Sequence, residues 1–518
     1  MLKNVNSCPP KADSLGIKKF FIFLFLALSI IPGFVSAQIS QQGPKLVGTG
    51  SVGSSVNQGR RVSISSDGNT AAVGGWADNN FTGAVWIFTR TAGVWTQQGP
   101  KLIGTGNIGI AYQGISVAIS SDGNTVVEGG YFDNNGLGAV WVFTRNGGVW
   151  TQQGSKLIGS GGSFAAQGYS VAISSDGNTI IEGGETDNNP GGGAAWVFTR
   201  SAGVWTQQGP KLVGTGTTGA SQGESVAISS DGNTCIIGGP SDNANTGAVW
   251  IFTRSGVVWT QQGSKIVGSG IIGNAYFGTS TALSSDGNTA ITGGYQDNNG
   301  VGAVWVFTRS GAVWTQQGQK FFGVGAVGNG DQGGSVALSS DGNIAVEGGF
   351  TDNSGAGAIW IFTRTAGVWT QAGSKLVGTG AVGGSQQGTS LGLSSEGTLI
   401  EGGAQDNGGI GAAWVFIASG IGIQPISSEI PASFSLSQNY PNPFNPNSKI
   451  KFQIAKSGDA KLVVFDMLGR EVATIVNENL NPGTYEVDFD GSKLSSGVYF
   501  YKLTAGSYSE TRKMSLIK

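Results

Sequence analysis

Four glutamates recur at one position of a repeated segment, each in the tripeptide Glu-Gly-Gly: Glu128, Glu182, Glu347 and Glu401. A pair of carboxyls flanking a glycosidic bond is the equipment of glycoside hydrolysis, one as acid and one as base or nucleophile. The equivalent positions in the other copies hold Val73, Ile237 and Thr292, and no local motif singles out two of the four glutamates. A second acidic set follows a few residues later in a segment reading "DNN" or a close variant: Asp78, Asp133, Asp187, Asp242, Asp297, Asp352 and Asp406. Clustered carboxylate and amide oxygens suit a calcium ion or a polar ligand. The same residues also build Asx turns that only shape a loop. A third set lies in "SSDGNT": Asp67, Asp122, Asp176, Asp231, Asp286 and Asp341, with Glu396 in the last copy. One carboxylate in a tight Asp-Gly hairpin is too few for calcium, which takes about six to eight oxygens.

What the chain lacks narrows its chemistry. With no histidine, Ser-His-Asp and Cys-His catalysis, His-ligated zinc and a histidine pH switch are all excluded. Lys+Arg total 29 against 31 Asp+Glu, so there is no basic excess for nucleic acid. The two cysteines, Cys8 and Cys235, make no disulfide framework. Cys235 stands where other copies have Ala or Val, as a small core residue would.

The elements that must position these acids repeat seven times, with a period of roughly 55 residues, in the range of propellers and arrays. The copy beginning at Gln113 shows four strand signals in order: "ISVAIS", "TVVEGG", "GAVWVFTR" and "GGVWTQQGSKLIG". The first two are joined by the Asp-Gly turn. The third is apolar on both alternating faces, as in a strand covered on both sides. Four-stranded meanders stacked around an axis can bury both faces, so the fold class is all-β and the architecture a seven-bladed β-propeller. Thirteen of the 14 tryptophans fall at two repeat positions. Seven lie on the third strand (Trp86, Trp141, Trp196, Trp250, Trp305, Trp360, Trp414) and six on the fourth (Trp95, Trp150, Trp205, Trp259, Trp314, Trp369). They are expected to fill the space between blades.

Only six fourth strands follow their third strand. The missing one is "ISQQGPKL" at the front of the chain, where Ile39 and Ser40 replace the usual Trp-Thr. Pairing it with the last blade hides two open sheet edges. In such a meander the "DNN" loops share one face of the disc with the long "GTGxxGxxxQG" connections, and the hairpin turns occupy the other. Long polar loops on a rigid scaffold are where binding is expected, and the four glutamates lead into that face.

Over residues 38–419 the unit "QGxSVAISSDGNTxxxGGxxDNNxxGAVWVFTR" resembles the FG-GAP type of repeat found in the integrin α-chain propeller. The resemblance implies the propeller fold and an adhesion role. It departs from the family in lacking the long Asp-x-Asp-x-Asp-Gly calcium loop.

Composition shifts after Ser419. Residues 420–432 read as a linker, and 433–518 as a small antiparallel sandwich with strands at "KIKFQI", "AKLVVFDM", "GTYEVDFD", "GVYFYKLTAG" and "TRKMSLIK". "YPNPFNP", "VVFDMLGREV", "NPGTYEVDFDGSKLSSGVYFYKL" and the terminal "KMSLIK" resemble the type A sorting domain of the type IX secretion system. That resemblance implies passage through the periplasm to the outer-membrane surface or the medium of a Gram-negative bacterium, with the secretion machinery as partner. It points to Tyr440, Pro441, Asn442, Pro443, Phe444, Gly469, Gly497, Tyr499 and Lys513 as sorting residues. Residues 1–37 fit the route: Lys18 and Lys19, an apolar run too short to span comfortably, then small residues before Gln38 read as a cleaved signal peptide. The mature chain is expected to have no transmembrane span.

The expected function is a non-enzymatic, secreted or surface-bound module that binds a glycan or a protein, with no required cofactor and calcium as an option. The alternatives are a carbohydrate-active enzyme using the four glutamates and a structural surface-layer protein.

Overall fold

The computed structural model describes residues 38–91, 93–188, 192–419, 425–427, 431–480, 482–491 and 494–518. The signal-peptide expectation for residues 1–37, with Cys8, and most of the linker lie outside the described residues.

Seven four-stranded antiparallel sheets follow one another along the chain. In blade 1 the strands are Arg61–Ile64, Thr70–Gly75, Ala84–Thr91 and Val94–Gln97, from the axis outward. The innermost strands of neighbouring blades touch all the way round, including blade 7 with blade 1. The protein is therefore an all-β, seven-bladed propeller followed by a β-sandwich.

The third strand explains the stacking. In blade 2, Ala139, Trp141 and Phe143 pack against Val85, Ile87 and Ala72 of blade 1. The intervening Val140 and Val142 pack against Ala194, Trp196 and Phe198 of blade 3. One strand thus feeds two cores, and seven inter-blade clusters result. The seven third-strand tryptophans are fully buried, each contributing about 2–3 kcal/mol by area. Each ring lies over a glycine that admits no side chain: a Cβ on Gly104 would sit 2.1 Å from the Trp141 ring. The fourth-strand tryptophans are half-buried, with an arginine over the ring, as Arg145 lies over Trp150 at 5.3 Å. Cys235 is a buried core residue, as its alignment with aliphatic residues predicts.

Ring closure uses the front of the chain. Gln38–Gln41 pairs antiparallel with Ala412–Ser419, Gln38 opposite Ser419 and Gln41 opposite Phe416. The next residues copy a fourth strand contact for contact. Gln42 Oε1 accepts from Trp95 Nε1 (3.0 Å), as Gln98 Oε1 accepts from Trp150 Nε1 (2.9 Å). Gln41 Oε1 accepts from the Thr379 amide (2.6 Å), as Gln97 Oε1 accepts from the Thr49 amide (2.7 Å). On the hairpin-turn face a belt of serines runs round the axis. The Ser66 amide donates to Ser121 O (3.1 Å), the same link recurs through Ser285, and the Ser395 amide donates back to Ser66 O (3.0 Å).

The C-terminal module has two four-stranded sheets. One orders Pro425–Ser427, Gly483–Asp490, Asn447–Ile454 and Ser435–Leu436; the other orders Glu471–Leu480, Gly458–Phe465, Gly497–Ala505 and Tyr508–Leu516. Two features differ from the sequence reading. Pro425–Ser427, inside the stretch read as linker, is an edge strand on Gly483–Asp490. Glu471–Leu480 is a strand although its polar Asn-Glu-Asn segment interrupts the alternation. Its register against Gly458–Phe465 shifts twice, which is how irregular patterning is absorbed.

Candidate functional site at the axial mouth

The "DNN" loops are compact turns. In Asp78–Phe81 the residues Asn79 and Asn80 both have positive φ (49° and 52°), a conformation asparagine tolerates better than most residues. That turn carries Asp78 inward. Its Oδ1 accepts the Val52 amide (2.7 Å) and its Oδ2 pairs with Lys101. The same pairing recurs in every blade: Lys156 with Asp133, Lys211 with Asp187, Lys265 with Asp242, Lys320 with Asp297, Lys375 with Asp352, and Lys45 with Asp406. All seven carboxylates are buried. The sequence leaves a loop-shaping and a ligand-binding role open for these aspartates, and the contacts described are those of the loop-shaping role. A lysine ammonium already occupies the place a cation would take, and the other oxygen is held by a backbone amide, so the donors do not fit calcium. Among the described residues no group of three or more acidic or thiol side chains could hold a metal.

The four Glu-Gly-Gly glutamates, kept as candidates for an alternative enzymatic role, sit elsewhere. They do not reach the loop face. Glu128, Glu182, Glu347 and Glu401 are fully buried between blades, at the position where Val73 and Ile237 sit in apolar clusters. Glu347 Oε1 accepts the Gly323 amide (2.7 Å), while the Gly104 amide lies near Glu128 and the Gly378 and Gly388 amides near Glu401 without a well-formed hydrogen bond. Burial pushes Glu128 and Glu347 up to about 8, opposed by the Gly104 and Gly323 amides. Burial also pushes Glu182 and Glu401 well above the usual carboxylate range. All four therefore lie in the interior, away from the loop face.

The site that repeat-averaged reading misses lies where the repeats disagree. Two positions differ in nearly every blade. After the "QG" or "FG" dipeptide stand Arg60, Ile115, Tyr169, Glu224, Thr279, Gly334 and Thr389. After the "GG" that ends the second strand stand Trp76, Tyr131, Glu185, Pro240, Tyr295, Phe350 and Ala404. The first two strands run antiparallel, Arg61 opposite Gly74, so both positions lie at the same end of the blade. Together they ring the mouth of the axial funnel on the loop face. The signal in the sequence was this variability inside otherwise near-identical copies.

Blades 1 to 3 form an aromatic shelf. Trp76 stacks with Phe81 (5.6 Å between centroids) and meets Tyr112 edge-on (5.1 Å). Tyr112 touches Tyr131 and Phe132, each at 5.2 Å, and Tyr131 meets Tyr169 at 5.5 Å. Beside the shelf is a charged cluster. Glu224 Oε1 accepts from Thr279 Oγ1 (3.1 Å); its carboxyl is raised by burial, against the pull of that hydrogen bond and of Arg61. Glu185 is pushed up to about 7 by burial and by Glu224. Arg61 is lowered to about 10 by burial and by Arg60, with Tyr169 and Glu224 opposing. Tyr169 is raised to about 12 by burial, Glu185 and Glu224. Between shelf and axis lies a pocket of about 210 Å³, walled by Trp76, Tyr131 and Tyr169 and offering Arg60, Asn57, Gln386 and Gln405 as polar groups.

The residues expected to carry sorting divide in two. Phe444 is a core residue, 2% exposed. Its amide donates to Ser515 O and its carbonyl accepts the Ile517 amide (both 3.0 Å), so "YPNPFNP" is clamped to the last strand. Asn442 Oδ1 accepts the Ser515 amide (2.9 Å). The Pro441 carbonyl accepts from Ser448 Oγ (2.8 Å). Tyr499 is buried, with its hydroxyl on Ser495 O (2.8 Å). Gly469 (φ 76°) closes the Asp466–Arg470 turn. Tyr440 is 80% exposed, and Gly497 and Lys513 are also at the surface.

Residues 438–518 match the protein family described as the secretion system C-terminal sorting domain. The protein therefore carries a type IX sorting domain behind its propeller and is exported to the outer-membrane surface, or beyond it, of a Gram-negative bacterium. Among the described residues no helix is long and apolar enough to cross a membrane. No curated protein matches the chain. Among solved structures, a fungal alcohol oxidase of the AA5 family in complex with copper is 13% identical, covering 93% of this chain and 100% of that one, with a TM-score of 0.46. A hypothetical selenium-binding protein from Sulfolobus tokodaii is 8% identical over 60% of this chain and 77% of that one (TM-score 0.40). The β-propeller domain of the Trilobed protease from Pyrococcus furiosus is 11% identical over 66% and 90% (TM-score 0.36). Likenesses of this size transfer no activity.

Proposed function

We propose that this protein is an exported, non-enzymatic binding propeller that holds a glycan at the axial mouth. One observation carries the reading: the blades repeat their third-strand tryptophans and their lysine–aspartate pairs, and the side chains that ring the mouth differ from blade to blade. The residues collected there, an aromatic shelf with hydroxyl, amide and guanidinium groups beside it, suit a ligand with apolar faces and a polar rim. The kinship with FG-GAP repeats suggested by the repeat motif, and the adhesion role it implies, belong to the same proposal. The test is calorimetric titration of the mature full-length protein with a panel of cell-wall and capsular polysaccharides. Saturable binding lost in Trp76→Ala and Tyr131→Ala supports it; a folded protein that binds none of the panel removes it.

A second reading has one observation in its favour. Glu185, raised to about 7, neighbours Glu224, and two carboxyls in differing environments can divide acid and base roles. Release of reducing ends by the wild type, lost in Glu185→Gln and Glu224→Gln, would move the protein to the enzymes.

A further inference from the structure

The mouth carries a substitution that works against the repeat. In six blades a serine at the start of the inner strand ties one blade to the next. Ser116 Oγ donates to Gly168 O (2.7 Å), Ser170 to Gly223 O (2.8 Å) and Ser225 to Gly278 O (2.8 Å). Ser280 donates to Gly333 O (2.8 Å), Ser335 to Gly388 O (2.7 Å) and Ser390 to Gly59 O (3.0 Å). Blade 1 alone has Arg61 there, and Arg60 precedes it at the variable position. The inter-blade hydroxyl is given up and two guanidinium groups stand at one side of the funnel.

The two arginines are not equivalent. Arg61 is buried within electrostatic reach of Glu224 and Tyr169, and its Nη1 donates to Arg60 O (3.1 Å). Arg60 lines the pocket, half-buried, and no carboxylate lines that pocket with it. No ion pair forms on Arg60 among the described residues. Its fork of donors matches a carboxylate. Its neighbours Asn57, Gln386 and Gln405 add amide donors, and Trp76 supplies a flat apolar wall.

We infer that the pocket takes an anionic sugar residue of the uronate class, its carboxylate on Arg60 and its ring against Trp76. This rests on the reading of the mouth as a glycan site. The pocket, at about 210 Å³, has room for a single pyranose-sized group.

The experiment is calorimetry on the mature full-length protein with oligogalacturonides, with the same oligomers after carboxyl reduction to neutral sugars, and with sulfated oligosaccharides. Arg60→Thr places at position 60 the residue blade 7 carries as Thr389, and Arg61→Ser restores the serine of the other blades, so neither is expected to unfold the chain. The expected result is binding of the oligogalacturonide that weakens with salt and falls about tenfold or more in Arg60→Thr, the usual worth of a charge-assisted hydrogen bond. Carboxyl reduction should cause a similar loss, and Arg61→Ser should keep or raise the melting temperature. Equal affinity for acid and reduced oligomers, or preference for the sulfated ones, overturns the uronate inference and leaves glycan binding standing. Absence of binding to every glycan overturns both. Should Arg60→Thr prove unstable, the acid-versus-reduced comparison on the wild type decides.

Discussion

Lys45 Nζ lies 2.5 Å from Asp406 Oδ2, joining residues 361 positions apart. Within blades 1 to 6 the same pair is made by a lysine 23 or 24 positions after its aspartate. The front of the chain is therefore the outer strand of blade 7 in chemistry as well as in pairing. Deleting residues 38–47 removes that strand, the lysine, and the acceptors of Trp95 and Arg90 on Gln42. The expected outcome is a lower melting temperature and aggregation through the exposed edge. Gln42→Ala alone should cost about 0.5–1.5 kcal/mol, the usual net worth of a hydrogen bond between partly buried groups. Chemical denaturation and light scattering measure both, and an unchanged, monomeric deletion variant refutes the closure.

The seven lysine–aspartate pairs predict indifference to calcium. Chelation should leave the melting temperature unchanged, because each Asp is held by an ammonium and an amide. Breaking one pair should be severe: Lys101→Met strands the fully buried Asp78, and loss of one partner of a buried pair costs about 3–5 kcal/mol. Scanning calorimetry with and without chelator checks both halves. A large drop on chelation would mean that a metal shares these loops.

The buried glutamates predict a pH dependence of defined sign. Burial pushes Glu128 and Glu347 up to about 8, above their ordinary value of 4.5. Between those values the folded state keeps protons that the unfolded chain has released. Stability therefore falls as pH rises through this window, and levels above it. Glu128→Val installs the residue blade 1 carries as Val73. It should leave stability near pH 4 almost unchanged and raise it at pH 8 by on the order of 4 kcal/mol, each tenfold displacement of a protonation equilibrium being worth about 1.4 kcal/mol. Denaturation across pH 4–9 reads the slope, and a flat wild-type profile contradicts the assignment.

These outcomes show what the sequence could and could not reveal. The blade count, the strand order and the displaced strand were legible because they rest on periodicity, on Asp-Gly turns and on strand alternation, all local signals. The burial of the third-strand tryptophans between blades followed from their identity at every copy. For the acids the sequence left a structural and a ligand role open, because the partners that distinguish them come from distant parts of the chain. Asp78 found Lys101 only through the fold, and Glu128 was buried by the neighbouring blade, a long-range fact that no window contains. Arg60, Trp76 and Glu185 were invisible to a reading that averaged the copies. The C-terminal motif was clear as a unit, but which of its residues face inward depended on the pairing of Phe444 with Ser515 and Ile517.

That last distinction separates folding from export. Phe444 is 2% exposed in the sandwich core and Tyr440 is 80% exposed four residues earlier. Tyr440 keeps its backbone bonds to Lys449 in both directions (2.9 Å), so Tyr440→Ala removes only a solvent-facing ring and should change stability by no more than about 0.5 kcal/mol. Phe444→Ala should destabilise the module by about 3–5 kcal/mol, the usual range for a buried aromatic. If the machinery reads an exposed side chain of this motif, Tyr440→Ala should fold normally and accumulate in the periplasm, while Phe444→Ala should fail in both respects. Fractionation of cells expressing the full chain, paired with melting curves of the purified variants, tells the two apart. Normal export of Tyr440→Ala would show that this ring is not read, and that the motif acts by clamping Phe444 and Asn442 against the final strand.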